Sequence, residues 1–172
     1  MTSRFALAAV LLAATVSMSA IAADAPHLCG ATDKVVFSCP LAGGKKTVSL
    51  CAGTDGAIRY AFGQPGKIEL THPSEAQDAP LSRTHLSFGG ASGGAAYAFD
   101  KGGYQYIVYS ISGTGMDRGG VVVRRDGEVK AARDMQCQAG KITNTSDEQV
   151  IDQTLKLKSD PEIQSHGLPT TH

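Results

Sequence analysis

Short apolar or alternating runs, separated by glycine and proline, fill the middle of the chain, a pattern typical of antiparallel strands joined by turns. Residues 34–39 are apolar and β-branched, residues 47–51 alternate, and Pro40, Gly43 and Gly44 break the pattern between them. These two segments predict a β-hairpin. The same pattern predicts further strands at residues 57–62, 67–72, 84–88, 95–99, 104–111, 120–124 and 128–132.

Two of the predicted hairpins carry strong local signals. Residues 95–99 and 104–111 are rich in aromatic and β-branched side chains suited to cross-strand pairing, and Lys101-Gly102-Gly103 lies between them. Asp126-Gly127 is a strong two-residue turn signal and predicts the last hairpin, between residues 120–124 and 128–132.

Two segments predict loops instead. Residues 73–80 are polar and bounded by proline. Residues 89–94 are dense in glycine, whose backbone entropy makes it unfavourable in a regular element. Because binding residues are often carried on loops, the glycine-rich segment is the first place to look for a contact site.

The chain changes character after Cys137. Ser146 followed by Asp147 and Glu148 is a favourable helix start, and apolar residues follow at helical spacing. Asp160-Pro161 is expected to end the helix, which leaves residues 159–172 as a flexible tail.

The N-terminal residues 1–23 have the pattern of a signal peptide. Arg4 precedes an apolar run over residues 5–16, and Ala20-Ile21-Ala22 supplies the small residues that predict cleavage after Ala22 or Ala23. The apolar run is shorter than the ~20 residues that cross a bilayer. We therefore expect a protein without a membrane span, exported to the periplasm or secreted.

About 150 residues follow the signal peptide, a length that suits one domain. The predicted domain covers residues 24–158. Its expected fold is mainly β: a small antiparallel β-barrel or sandwich of about eight strands with one C-terminal helix, stapled by disulfides.

Two disulfides are predicted because the chain has four cysteines, an even count in an exported small domain. Four cysteines allow three pairings. In the first hairpin Cys39 lies at the turn end and Cys51 at the far end, too distant for a bond across the pair. This favours Cys29–Cys51 with Cys39–Cys137, although a bulge would change the geometry.

Charge and composition narrow the classes of partner. The chain has 16 basic and 16 acidic residues and no clustered basic stripe, which argues against nucleic acid and against an anionic membrane surface. Its five histidines are scattered. We therefore predict no metal site and no cofactor.

No motif carries recognisable catalytic chemistry, so the prediction is that the protein is not an enzyme. Ser92 lies between glycines, but a nucleophile elbow needs a helix after the serine and a histidine and acid to activate it. A small periplasmic hydrolase is the alternative, and it would require His72 or His85 to meet Ser92 or an acid.

Two separate pieces of the chain resemble a known family. Phe37-Ser38-Cys39 is followed by a glycine turn, Lys45 and a strand at Val48, and Ser92-Gly93 is followed by Tyr97. This combination resembles the membrane-bound and periplasmic inhibitors of C-type lysozyme. The chain also resembles short exported proteobacterial proteins of unknown function.

The inhibitor resemblance implies a small antiparallel β-barrel whose Ser/Gly loop enters a lysozyme active site, with Ser92, Gly93 and Tyr97 as the binding residues. The leading expectation is therefore an exported binding or inhibitory module whose partner is a protein such as a lysozyme-like cell-wall hydrolase. A structural or envelope-associated protein is a further alternative. The oligomeric state is left open.

Overall fold

The computed structural model describes residues 26–171 and shows two five-stranded antiparallel sheets packed as a sandwich. The strands are β1 (Lys34–Pro40), β2 (Thr47–Ala52), β3 (Ile58–Gln64), β4 (Lys67–His72), β5 (Ser82–Phe88), β6 (Ser92–Lys101), β7 (Tyr104–Gly113), β8 (Met116–Arg125), β9 (Ala131–Gln136) and β10 (Thr143–Asn144). The order is β10-β1-β2-β3-β4 in sheet 1 and β5-β6-β7-β8-β9 in sheet 2. The predicted β-rich antiparallel class is confirmed, as a sandwich rather than a closed barrel. The predicted signal peptide lies outside the described residues.

The main core fills the space between the two sheets. Strand alternation in sheet 2 sends Tyr97, Phe99, Val108 and Val121 inward, where they pack against sheet 1. The intervening residues face outward and form a second core, which includes Ala96, Ala98, Ile107, Tyr109 and Val122. Both faces of sheet 2 are therefore covered.

The favoured disulfide pairing is confirmed. Cys29 bonds to Cys51 and ties the N-terminal segment to β2, while Cys39 bonds to Cys137 just after β9. Cys39 is paired in register with Val48 near the β1–β2 turn, and Cys51 with Val35 at the other end, as the hairpin argument requires. The second disulfide thus joins sheet 1 to sheet 2.

Two helices close the described part of the chain, α1 (Glu148–Leu155) and α2 (Pro161–His166). Asp147, not Ser146, caps α1 through its carboxylate. The prediction of a flexible tail over residues 159–172 is wrong for residues 161–166, which form α2. Asp160 caps α2, proline occupies its first turn, and Ile163 is buried against sheet 2. The folded domain therefore extends beyond residue 158.

The prediction of a glycine-rich loop over residues 89–94 is also wrong for half of that segment. β5 ends at Phe88 and β6 begins at Ser92, so only residues 89–91 lie outside strands. A Cβ atom on Gly94 would lie 1.9 Å from the carbonyl oxygen of Ser110 on β7. Glycine is needed here because two backbones approach closely, and this constraint outweighs its entropic cost.

The connection in the last predicted hairpin is longer than expected. Residues 126–130 connect β8 to β9, and the pairing shifts between Val123 and Arg124, so Asp126-Gly127 is not a two-residue turn between adjoining strands.

The helices of the described residues are too short or too polar to span a bilayer.

Candidate functional site

A groove of about 530 Å³ opens between the two sheets at one end of the sandwich. Its floor is the inner face of β6 and β7, where the side chains are small: Gly93, Ala95, Ser110 and Ser112. Farther along the same face, the larger side chains of Tyr97, Phe99 and Val108 fill the core. The groove exists because the inner side chains become too small to fill the space between the sheets.

The edge strand β5 adds two basic side chains to this groove. Arg83 is paired in register with Tyr97, and His85 with Ala95, so both share the inner face with the groove floor. The Cζ atom of Arg83 lies 5.9 Å from the Tyr97 ring centroid. Val36, Phe37 and Asn144 of sheet 1 form the facing wall.

Among the described residues, the guanidinium of Arg83 has no hydrogen-bond or ion-pair partner. Its Nε atom is buried without a hydrogen bond, and within residues 26–171 no carboxylate forms an ion pair with this side chain. None of the residues lining the groove is acidic. A buried donor without a partner costs about 1–3 kcal/mol, and no charge within the described residues offsets that of the guanidinium, so this group favours an oxygen acceptor in the groove.

The chemistry of the groove suits a carboxylate. A guanidinium is planar and can bind both oxygens of a carboxylate at once. The Ser110 and Ser112 hydroxyls and the Asn144 amide line the same groove and can donate further hydrogen bonds. The arrangement can therefore hold an acidic group between the sheets.

Two hairpin ends lie beside the groove. Residues 89–91 connect β5 to β6, and residues 114–115 connect β7 to β8. The register of Gly93 with Ser112 places both ends on the same edge of the sandwich. Phe88 is 42% exposed at the first hairpin end, and Ala91 lines the groove itself. Because Phe88 is in register with Ser92, its side chain lies on the outer face of sheet 2, whereas Ala91 borders the groove.

The structure separates the three residues that the sequence predicted as a binding site. Gly93 and Tyr97 line the groove, although Tyr97 is mostly buried in the core. Successive side chains of a strand point to opposite faces, so the side chain of Ser92, which precedes Gly93 on β6, lies on the other face, close to Gly113. Gly93 and Tyr97 therefore share a site that Ser92 does not line.

The histidines of the hydrolase alternative do not meet Ser92. His72 is buried on β4, where its Nε2 atom lies 2.7 Å from the carbonyl oxygen of Ala79. His85 faces the groove, away from the Ser92 side chain. The Nδ1 atom of His72 lies 3.8 Å from a carboxylate oxygen of Asp78. The structure therefore brings one of the two histidines close to an acid, but brings neither to Ser92.

Sequence reasoning missed Arg83, which is the most distinctive group in the groove. Its signal was the alternation of Arg83 and His85 on a short strand, which predicts that they share one face. This face points into the sandwich because of the register of β5 with β6. No local sequence pattern specifies that register.

Within the described residues, no group of three or more His, Cys, Asp or Glu side chains is arranged to hold a metal ion. In comparisons with protein-family models, curated proteins and solved structures, no family, protein or structure matches this chain.

Proposed function

We propose that this protein is an exported binding module that recognises an acidic side chain of a protein partner, with a lysozyme-like cell-wall hydrolase as the leading candidate. The observation that carries the proposal is the Arg83 guanidinium, which has a buried Nε atom without a partner and faces a groove with no acidic lining residue. A carboxylate of the partner would bind Arg83, while the adjoining hairpin ends contact the surrounding surface.

A hydrolase of cell-wall glycan suits this chemistry. Most glycoside hydrolases hold a pair of carboxylates in an open cleft. The hairpin ends at residues 89–91 and 114–115 can enter such a cleft, and the groove beside them supplies the positive charge. The resemblance of residues 37–48 and 92–97 to lysozyme inhibitors supports the same class of partner.

The expected compartment also fits this role. Two disulfides are typical of proteins that fold in oxidising environments such as the periplasm. The signal peptide predicted at residues 1–23 would deliver the chain there. Cell-wall hydrolases act in that compartment or reach it from outside, so the proposed partner would be accessible.

The test is binding and inhibition with purified lysozymes of different classes, using the disulfide-bonded protein. We expect at least one hydrolase to be bound and inhibited, and Arg83→Gln to weaken binding at least about ten-fold because it leaves the partner's carboxylate unpaired. Arg125→Gln is the matched control, since Arg125 is exposed at the opposite end of sheet 2.

Either of two results would contradict the proposal. If the wild-type protein binds none of the hydrolases, the assignment of the partner is wrong. If Arg83→Gln binds as tightly as Arg125→Gln, the groove is not the contact site, and scanning Phe88 and residues 89–91 would show whether the hairpin ends act without it.

A further inference from the structure

The C-terminal segment crosses the outer face of sheet 2 and is anchored at both ends. Near β5, the backbone N–H of Asp160 donates to the Thr84 hydroxyl at 2.9 Å, and the Asp160 carboxylate accepts from the Gln105 amide at 2.9 Å. Beyond α2, the N–H of Ala131 on β9 donates to the carbonyl of Thr170 at 2.9 Å. The segment therefore spans the sheet from one edge strand to the other.

This crossing segment, residues 160–170, lines one side of an open cavity of about 730 Å³ against the sheet. Leu86, Ile111 and Val122 contribute apolar walls from the sheet, and Ile163 and Leu168 contribute them from the segment. The volume lies within the range of small-molecule sites, which combine apolar walls with a few placed polar groups.

Two charged side chains that line the cavity, Asp134 and Arg118, interact with the hydroxyl of Tyr109. That hydroxyl lies 3.5 Å from Oδ1 of Asp134, and Arg118 also interacts with it. Burial, together with the Asp134 charge, raises the pKa of Tyr109 to about 12, so the hydroxyl is protonated at neutral pH. Asp134 and Arg118 do not form an ion pair with each other among the described residues.

Asp134 and Arg118 are exposed residues of opposite charge that interact with one hydroxyl, and this pair of charges defines the ligand that the cavity can hold. A purely anionic ligand would be repelled by Asp134, and a purely cationic one by Arg118. A molecule with both charges can satisfy both side chains at once, while an apolar body packs against Ile111 and Ile163.

We propose that this cavity binds a small zwitterionic molecule with an apolar body, of the class of short apolar peptides. Its ammonium group binds Asp134, its carboxylate binds Arg118, and its side chains occupy the apolar space under the crossing segment. The site is distinct from the Arg83 groove because it lies on the outer face of sheet 2; only His85, on the edge strand, borders both.

The test is an NMR titration of the isotope-labelled, disulfide-bonded protein with leucyl-leucine and with alanyl-phenylalanine. We expect saturable shifts in the backbone amides of residues 160–170 and around Tyr109. N-acetyl-leucyl-leucine amide has the same apolar body without either charge, and we expect it to bind at least about ten-fold more weakly.

Asp134→Asn and Arg118→Gln remove each charge while preserving shape, and each is expected to weaken leucyl-leucine binding about ten-fold. The matched controls are Asp117→Asn and Arg133→Gln, because these exposed neighbours have the opposite strand parity and face away from the cavity. They should bind as the wild type does.

Three outcomes would overturn the proposal. The first is the absence of saturable shifts at the cavity with either dipeptide. The second is equal affinity for leucyl-leucine and its uncharged analogue, because the cavity would then bind the ligand through apolar contacts alone. The third is unchanged affinity in both Asp134→Asn and Arg118→Gln.

Discussion

The imidazole of His72 stacks on the ring of Phe99, with ring centroids 4.2 Å apart and planes within 9° of parallel. This contact joins β4 of sheet 1 to β6 of sheet 2. The Nδ1 atom of His72 is buried without a hydrogen bond, 3.8 Å from a carboxylate oxygen of Asp78. Burial lowers the pKa of His72, and this effect exceeds the opposing influence of the Ala79 carbonyl and of Asp78.

The free energy of unfolding should therefore fall as the pH drops below about 6.5, the ordinary pKa of histidine. In that range the unfolded chain binds the proton more readily than the folded one, and the decline continues down to the lower folded pKa of His72. Above about pH 6.5 the imidazole is neutral in both states, so protonation of His72 does not lower the free energy of unfolding there. Urea unfolding between pH 7.5 and pH 5 should show this decline in the wild type and a smaller one in His72→Gln.

Asp78→Asn provides a second check. Hydrogen bonds from Ser74 and Glu75 lower the pKa of Asp78 to about 2, so this carboxylate does not itself titrate between pH 7.5 and pH 5. Its removal takes away a charge that favours protonated His72, which should extend the decline to lower pH. Equal pH dependence in the wild type and His72→Gln would refute this account.

Gly94→Ala should destabilise the protein by about 1–3 kcal/mol or more, because the new Cβ atom would lie 1.9 Å from the Ser110 carbonyl oxygen and would force β6 away from β7. Gly89→Ala is the control, since a Cβ atom there meets nothing within 4 Å. It should change the free energy of unfolding by no more than about 0.5 kcal/mol. If both residues belonged to a flexible loop, the two variants would unfold alike in urea.

These glycines show why part of the fold could be predicted and part could not. Alternation and turn residues are local signals, and they located β1 to β8 and the favoured pairing of Cys39 with Cys137, but they misplaced β9 and missed β10. The role of Gly94 depends on how closely β7 approaches β6, which is a property of register and not of composition. Glycine in a crowded strand and glycine in a loop look the same in sequence.

A similar ambiguity affects proline. Pro161 predicted the end of a helix, but proline also suits the first turn of one, and Asp160 before it is a favourable cap.

For the candidate site, Gly93 and Tyr97 stood out as sequence features. The role of Arg83 became apparent only from the packing of sheet 1 over β5 and β6.

Ile163→Ala should lower the free energy of unfolding by about 2–4 kcal/mol, because this side chain is 3% exposed and packs against the outer face of sheet 2. Ile151→Ala, on the more exposed side of α1, is the matched control and should cost about 0.5 kcal/mol or less. Denaturant unfolding measures both. A loss below about 1 kcal/mol for Ile163→Ala would mean that α2 contributes little packing to the domain.

The two disulfides should contribute unequally to stability. Cys39 and Cys137 are separated by 98 residues and Cys29 and Cys51 by 22, and the entropy removed from the unfolded chain grows with loop length. Loop closure alone predicts losses of roughly 4.7 and 3.4 kcal/mol for the paired alanine variants Cys39→Ala/Cys137→Ala and Cys29→Ala/Cys51→Ala. Urea unfolding of both double variants at one pH makes the comparison, each against the wild type. Because the longer bridge also joins the two sheets, its removal should be the more damaging change, and a larger loss from Cys29→Ala/Cys51→Ala would show that the N-terminal segment stabilises sheet 1 by more than chain entropy.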